Sequence, residues 1–249
     1  MTGLLEYDMG GGVRAFTAGR DVPLPCAVVQ PHQTHSTVVA HVDRPGLTRE
    51  DLEGVDALVT DLPGVAIGVR TADCIPVLLY DPVHRAIGAA HSGWRGTVNM
   101  ISKKTVLEMC RLFGTRPGDS RAVIGPGIGY DSFQVGEEVA LTFKESGFPI
   151  DRVWSFRGAR KEGTMEGGHH LDLKECVRHS LIECGVAEGN ISVSDIDTYI
   201  DERFYSARRE GSSCGRNLNA IMLVCPRTDS RHVSIRPPLH YSLIFCIMT

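Results

Sequence analysis

The sequence predicts a mixed α/β sandwich. Short segments rich in valine and isoleucine fill the first half of the chain, and several of them are apolar at nearly every position. This composition is typical of strands that are buried between two layers. Near residue 97 the hydrophobic pattern changes to the period of a helix, and both kinds of element follow. We therefore expect sheets that are covered by helices.

Six segments of the first half predict strands. Each is short, rich in β-branched residues and bounded by Pro, Gly or Asp. They are residues 26–30, 36–43, 56–61, 65–73, 75–81 and 85–93.

The segment from Thr97 to Phe113 has the period of a helix. Its apolar side chains recur at intervals of three and four residues, and charged side chains occupy the positions between them. Gly114 follows the last apolar position. The pattern predicts an amphipathic helix with Thr97 as its N-cap and Gly114 just beyond its end.

The second half predicts shorter elements. Strands are predicted at residues 122–129, 191–200 and 219–224, and helices at 135–146 and 173–184. Asp172 precedes the second of these helices as its predicted N-cap. A polar, glycine-rich segment, 157–170, predicts a loop that carries His169 and His170. We find no repeat and no linker, so we expect one catalytic domain over residues 1–223 and an atypical tail, 224–249.

Composition narrows the class of protein. The chain has 249 residues, of which 42% are hydrophobic and 22% are charged, so it can bury a sizeable core. A formal charge of −4 and an aromatic content of 6% argue against nucleic acid and anionic membranes as partners. No secretory signal and no long apolar run are visible, so we expect a cytoplasmic protein with reduced thiols.

Three segments carry side chains that could bind a metal. HQTHS (32–36), RTADCIPV (70–77) and AAHSGWRGT (89–97) place His35, Cys74 and His91 next to predicted strand ends. Two imidazoles and a thiolate suit zinc or copper, and catalytic zinc usually has three protein ligands and one open position. A cysteine at a strand end is also typical of a packed thiol, so residue types alone leave both interpretations open.

Neighbouring residues could support chemistry at such a site. Asp73 could orient a ligand or act as a base, although capping of the turn is the more usual role of such a residue. Arg95, near a predicted helix start, could bind an anion, or it could form a surface salt bridge. Arg208 is a second candidate for an anion, although paired arginines are more typical of a solvated face. Gln33 is a further candidate substrate contact. The glycines around Pro126 lack the lysine of a phosphate-binding P-loop.

These segments together resemble the YfiH/YlmD-type family, whose members are called multicopper polyphenol oxidases (laccases) or purine nucleoside phosphorylases. The similarity runs from about Val13 to Leu223, and TADC followed by HSGWRG is its most specific part. Asp197 is a departure, because relatives often carry cysteine there.

The resemblance implies a four-layer α/β/β/α sandwich with metal ligands at His35, Cys74 and His91. It also implies a zinc-dependent enzyme that phosphorolyses adenosine, inosine and methylthioadenosine and deaminates adenosine. In that chemistry Asp73 would support the metal, while Arg95, Arg208 and Gln33 would bind substrate or phosphate.

Two alternatives remain open. The same ligands could hold Cu²⁺ and oxidise phenols, as the older family name implies. A conventional multicopper oxidase uses paired His-x-His clusters, however, and none of the ten histidines forms one. A structural metal site in a binding protein is the third hypothesis, but three ligands rather than four favour an open, reactive site.

Overall fold

The computed structural model describes residues 3–157 and 168–225. The tail that the sequence sets apart therefore lies outside the described residues, apart from Val224 and Cys225. Strands occupy Leu4–Tyr7 (β1), Val13–Ala18 (β2), Val38–His41 (β3), Val55–Thr60 (β4), Ala66–Thr71 (β5), Ile75–Asp81 (β6), Ala86–Ser92 (β7), Arg121–Ile124 (β8), Gln134–Val135 (β9), Trp154–Arg157 (β10), Gly168–Leu171 (β11), Ile191–Val193 (β12) and Asn217–Leu223 (β13). Helices occupy Trp94–Val98 (α1), Ile101–Phe113 (α2), Glu137–Glu145 (α3), Ile150–Val153 (α4), Leu173–Glu183 (α5) and Ala207–Glu210 (α6).

The strands form three sheets. The largest has the order β12-β8-β6-β7-β4-β3, the second has the order β1-β2-β13-β5, and a small one has the order β10-β11-β9. The centre of the six-stranded sheet is antiparallel, whereas its outermost pairs, β12 with β8 and β3 with β4, are parallel. The second sheet brings the two ends of the described chain together, because β13 pairs with both β2 and β5.

The core lies on both faces of the six-stranded sheet. Strand β6 is buried along its whole length and alternates its side chains between the faces. Val77 and Leu79 pack in a cluster with Met109 of α2, while Leu78 and Tyr80 pack in a cluster that includes the second sheet. Full burial of each such side chain is worth about 1.5–3 kcal/mol. These contacts make the sheet a rigid support for the residues at its ends.

The predicted mixed α/β class is confirmed, with several sheets in one domain. The four-layer order stays a prediction. Strand β6 matches its predicted limits, and Asp172 caps α5 by accepting a hydrogen bond from the Glu175 N–H at 3.0 Å. No helix within residues 3–157 and 168–225 is long and apolar enough to cross a membrane.

One predicted helix is two helices in the structure. Met100 adopts a left-handed backbone conformation, with φ 61°, and separates α1 from α2. Thr97 therefore lies inside α1 rather than at an N-cap, and its hydroxyl donates to the Gly93 carbonyl at 2.9 Å. Gly114 follows the end of α2, as predicted, and adopts a left-handed conformation.

Three other predictions require correction. Residues 26–30 form only an isolated bridge between Val29 and Ile67, and the prolines on either side, which lack backbone donors, limit extension of the pairing beyond the segment. The strand predicted over 191–200 ends at Val193 and gives way to a turn. Of the segment 157–170, residues 158–167 lie outside the described part, whereas His169 and His170 belong to strand β11 rather than to a loop.

Candidate metal centre

Three potential ligands meet at one end of the large sheet. His35 precedes β3, Cys74 occupies the turn between β5 and β6, and His91 lies near the end of β7. Because β6 and β7 are antiparallel and pair Pro76 with His91, the start of β6 lies beside the end of β7. The ligand atoms of the three side chains all lie within 4.8 Å of one another. The structure thus brings together the three residues that the sequence singled out.

The geometry of this cluster fits a metal ion. The Cys74 Sγ and His35 Nε2 atoms are 3.8 Å apart, and the rings of His35 and His91 meet edge to face at 4.8 Å between centroids. In a tetrahedral zinc site of usual bond lengths, such a sulfur and nitrogen lie about 3.5 Å apart. The donor set, two imidazoles and one thiol, suits zinc and also copper.

Asp56, which no sequence motif singles out, holds both histidines in place. The Nδ1–H of the buried His91 donates to Asp56 Oδ1 at 2.7 Å, which leaves Nε2 as the nitrogen available to a metal. The backbone N–H groups of Thr34, His35 and Ser36 donate to the same carboxylate at 2.8–3.1 Å. The available signal was a carboxylate inside an otherwise apolar strand.

Charge stabilises the thiolate and the imidazolium in this cluster when no metal is bound. Burial alone would raise the pKa of the Cys74 thiol, but the adjacent imidazoles of His91 and His35 outweigh burial and lower it. For His91, burial would lower the pKa, whereas Cys74 and Asp56 raise it. Burial would raise the pKa of Asp56, but hydrogen bonds from His91 and from backbone N–H groups lower it. A metal ion binds the thiolate and neutral imidazole forms.

The backbone beside the ligands is strained. His35 and Asp73 both lie in the left-handed region, with φ 61° and φ 85°, which residues other than glycine seldom adopt. Such conformations persist where surrounding bonds enforce them, and they occur often at functional sites. Here the three N–H bonds to Asp56 hold the turn at His35.

Asp73 connects the turn of Cys74 to a distant part of the chain. One carboxylate oxygen accepts the Thr198 hydroxyl at 2.7 Å, and the other accepts the Arg208 backbone N–H at 2.7 Å. Its carbonyl accepts the Ile128 N–H at 2.8 Å. Because both carboxylate oxygens are engaged, this geometry supports a positioning role for Asp73 rather than a role as a base.

Glycine at position 93 leaves room for the ligands. A Cβ atom there would lie 2.9 Å from His35 Cδ2 and 3.0 Å from Cys74 Sγ. Both distances are shorter than ordinary van der Waals contacts. Gly93 therefore belongs to the site, because any side chain at this position would crowd two of the ligands.

The cluster opens into a cavity of about 620 Å³. The cavity is lined by His32, Gln33, His35, Arg49, Arg70, Ala72, Cys74, His91, Ala207, Ser212, Ser213, Cys214 and Arg216. Its three arginines have no carboxylate partner among residues 3–157 and 168–225. Burial lowers the pKa of Arg70, and the positive charges of Arg49 and Arg216 lower it further. The cavity is therefore equipped to receive an anion.

The predicted substrate contacts fall in two groups. Gln33 lines the cavity, and its side-chain amide both donates to the Arg70 carbonyl and accepts the Arg70 N–H, each at 2.8 Å. Arg95 is exposed and stacks over the Trp94 ring at 4.4 Å. The Arg208 side chain donates to the Gln134 carbonyl at 3.0 Å. Neither of these two arginines lines the cavity, so their role in anion binding stays a prediction.

The arginines that do line the cavity were missed because they lie far apart in sequence. Arg49 is in a loop, Arg70 is in β5, and Arg216 precedes β13. No spacing rule connects the three positions. Asp197 accepts the Ser132 hydroxyl at 2.5 Å and lies next to the Thr198 that binds Asp73.

The His35–Cys74–His91 cluster and the arginines around it make this cavity the candidate functional site of the mixed α/β fold. The chain belongs to the family described as multi-copper polyphenol oxidoreductase laccase, whose model matches residues 14–224. The similarity to YfiH/YlmD-type proteins that the sequence predicts is thereby confirmed.

Relatives with enzyme names support this assignment. The chain is 44% identical over 207 residues to a purine nucleoside phosphorylase of Bacteroides thetaiotaomicron, covering 80% of this chain and 74% of the relative. It is 40% identical over 201 residues to adenosine deaminase RL5 of an unknown prokaryotic organism, covering 78% of this chain and 74% of the relative. The crystal structure of the Bacillus licheniformis hypothetical protein YfiH superposes with a TM-score of 0.70 at 33% identity, covering 79% and 74% of the two chains.

Proposed function

We propose that this protein is a metal-dependent purine nucleoside phosphorylase that also deaminates adenosine. One observation carries the proposal: the His35–Cys74–His91 cluster and three arginines without carboxylate partners line the same cavity. Phosphorolysis requires a bound phosphate beside the nucleoside, and deamination requires an activated water. A cavity of about 620 Å³ lies within the range usual for small-molecule sites. The names of the two relatives point to the same pair of activities.

The residues divide the work as follows. Arg49, Arg70 and Arg216 bind phosphate, since guanidinium groups form paired hydrogen bonds with its oxygens. His35, Cys74 and His91 hold a divalent metal, which we propose to be zinc; when bound, it supplies a Lewis acid for a water or substrate atom.

Other residues keep this machinery in position. Asp56 orients His91, and Asp73 orients the turn of Cys74. Arg95 and Arg208 stay predicted contributors to anion binding, and Gln33 positions Arg70.

Copper-dependent oxidation of phenols is the second candidate function. The family description and the copper-compatible ligand set favour it. Residues 3–157 and 168–225 contain one cluster of metal-ligand geometry, however, and multicopper oxidation requires several copper sites. The nucleoside reaction therefore has the stronger support.

Elemental analysis of the purified protein, combined with three assays, tests the proposal. The protein is assayed with adenosine or inosine and phosphate, with adenosine alone, and with a phenolic dye. We expect one zinc per chain, phosphate-dependent release of the purine base together with ribose 1-phosphate, and formation of inosine from adenosine without phosphate. Several coppers per chain with dye oxidation and no phosphorolysis would overturn the proposal.

A further inference from the structure

His32 lines the cavity of the metal cluster and has no role in the function proposed so far. Its Nδ1 atom is hydrogen-bonded to the Glu53 carboxylate. The backbones of the two residues are also paired: the His32 N–H donates to the Leu52 carbonyl at 3.1 Å, and the Gly54 N–H donates to the His32 carbonyl at 3.0 Å. The imidazole and its carboxylate are therefore held together by the main chain as well as by their side chains.

This pairing determines which nitrogen of His32 is free to react. An ionised carboxylate only accepts hydrogen bonds, so Nδ1 carries a hydrogen and Nε2 is the nitrogen that can exchange a proton. Within the described ranges, 3–157 and 168–225, no group forms a hydrogen bond with His32 Nε2. The side chain of His32 is 52% exposed, so that after a proton transfer it can be recharged from solvent.

The chemistry in the cavity requires a proton donor. In phosphorolysis a phosphate oxygen forms a bond to C1′ of the ribose while the C1′–N9 bond breaks, and the electron pair of that bond passes to the purine. The purine leaves more readily if its N7 atom is protonated as the bond breaks. The arginines can hold phosphate but do not give up protons at neutral pH. The metal ligands are committed to the ion.

We propose that His32, oriented by Glu53, is the proton donor to the leaving purine. The proposal rests on the function proposed above. His32 Nε2–H transfers its proton to N7 as the C1′–N9 bond breaks. Hydrogen phosphate loses its proton to solvent, and His32 takes up a proton from solvent.

The test compares two nucleosides that differ in their need for this proton. The base of inosine departs more readily when N7 is protonated. The base of 7-methylinosine already carries a positive charge, so it departs as a neutral purine without that proton. A general acid typically contributes 10²–10⁴-fold, so we expect His32→Gln to lower kcat for inosine by about 10²-fold. The kcat for 7-methylinosine should stay unchanged. Glu53→Gln should give a smaller loss that is also selective for inosine.

His84 offers a matched control. Its Nδ1 atom is bonded to Asp81 Oδ2 at 2.8 Å, so it is a second carboxylate-oriented histidine, but it does not line the cavity. His84→Gln should leave both reactions unchanged. The zinc content and melting temperature of each variant are measured alongside.

The possible results distinguish a failure of the His32 role from a failure of the proposed phosphorylase function. An equal loss with both nucleosides, or no loss with inosine, would overturn the role of His32 and leave the phosphorylase assignment intact. A parent protein that phosphorolyses neither nucleoside would overturn the proposed function, and the role of His32 with it.

Discussion

His91 and Asp56 form a buried hydrogen bond of 2.7 Å between Nδ1 and Oδ1 that joins strands β7 and β4 at the metal centre. The same carboxylate accepts three backbone N–H groups from the turn of His35. A single side chain therefore sets the positions of two of the three ligands.

Replacement of Asp56 should weaken metal binding. An Asn at this position presents an amide N–H₂ where the carboxylate accepts hydrogen bonds, so one or more buried N–H groups lose their acceptor. We expect Asp56→Asn to lower metal affinity by about 10–100-fold and the free energy of unfolding by about 1–3 kcal/mol. Competition with a chelator and denaturant titration measure the two effects. Asp81→Asn, which alters another buried aspartate that is hydrogen-bonded to a histidine, should lower stability alone. Equal metal affinities in both variants would show that Asp56 does not act through the ligands.

Removal of the thiol should abolish both metal binding and activity while the fold survives. Cys74 contributes the only sulfur of the cluster, and catalytic sites with three protein ligands rarely retain the ion when one is lost. We expect Cys74→Ala to contain no stoichiometric metal, with an unchanged circular dichroism spectrum. Cys214→Ala is the control, because Cys214 lines the same cavity without belonging to the cluster. Stoichiometric metal in Cys74→Ala would refute the ligand assignment.

Addition of a single methyl group at position 93 should disturb the site. The new Cβ would lie 2.9–3.0 Å from His35 and Cys74, and the backbone at φ −68° otherwise accepts alanine. We expect Gly93→Ala to fold and to bind substoichiometric metal. For Gly96→Ala, within α1, the nearest atom to the new Cβ would be Ile101 Cγ2 at 3.3 Å, and neither His35 nor Cys74 is among its nearest atoms. Elemental analysis of the two variants gives the comparison, and full metal occupancy in Gly93→Ala would contradict the expected crowding.

Loss of Arg70 should weaken phosphate binding more than nucleoside binding. A hydrogen bond to a charged group is worth about 1.5–3 kcal/mol, and each 1.4 kcal/mol is a factor of about ten. We therefore expect Arg70→Gln to raise the KM for phosphate at least about tenfold, with a smaller change in the KM for inosine. Steady-state kinetics with each substrate varied in turn would measure both.

Arg95→Gln serves as the comparison for Arg70, because Arg95 is the anion ligand that the sequence predicts. An unchanged KM for phosphate in Arg70→Gln, together with a raised one in Arg95→Gln, would place the anion at the start of α1 instead of in the cavity.

The sequence predicted those strands and helices whose limits are marked by neighbouring residues. Strand β6 is an unbroken apolar run that follows Cys74 and ends at Asp81, and α5 begins after a capping aspartate. Both elements were therefore predicted close to their observed limits. Met100 escaped prediction because nothing in its neighbourhood, neither glycine nor proline, marks the left-handed residue that divides α1 from α2.

The residues of the candidate site differ in the same way in how far the sequence predicts them. His35, Cys74 and His91 could be proposed because metal-ligand side chains at strand ends are visible in the sequence, and the family resemblance supported them. Asp56 is visible only as a carboxylate in an apolar strand, and its role and that of Arg216 could not be inferred, because only the pairing of β4 with β7, and of β13 with β5, brings them into the site. Non-local sites of this kind depend on sheet register, which a hydrophobic pattern does not specify.

Gln33 completes the free edge of β5 by using its amide in place of a neighbouring strand, with one bond to each backbone group of Arg70. His35 lies only two residues after Gln33 in the chain. Arg70 is therefore linked to His35 through the Gln33 side chain and a short piece of main chain, whose Thr34 and His35 N–H groups donate to Asp56. If the proposed metal and phosphate occupy this site, the linkage limits the distance between the two substrate groups that they bind.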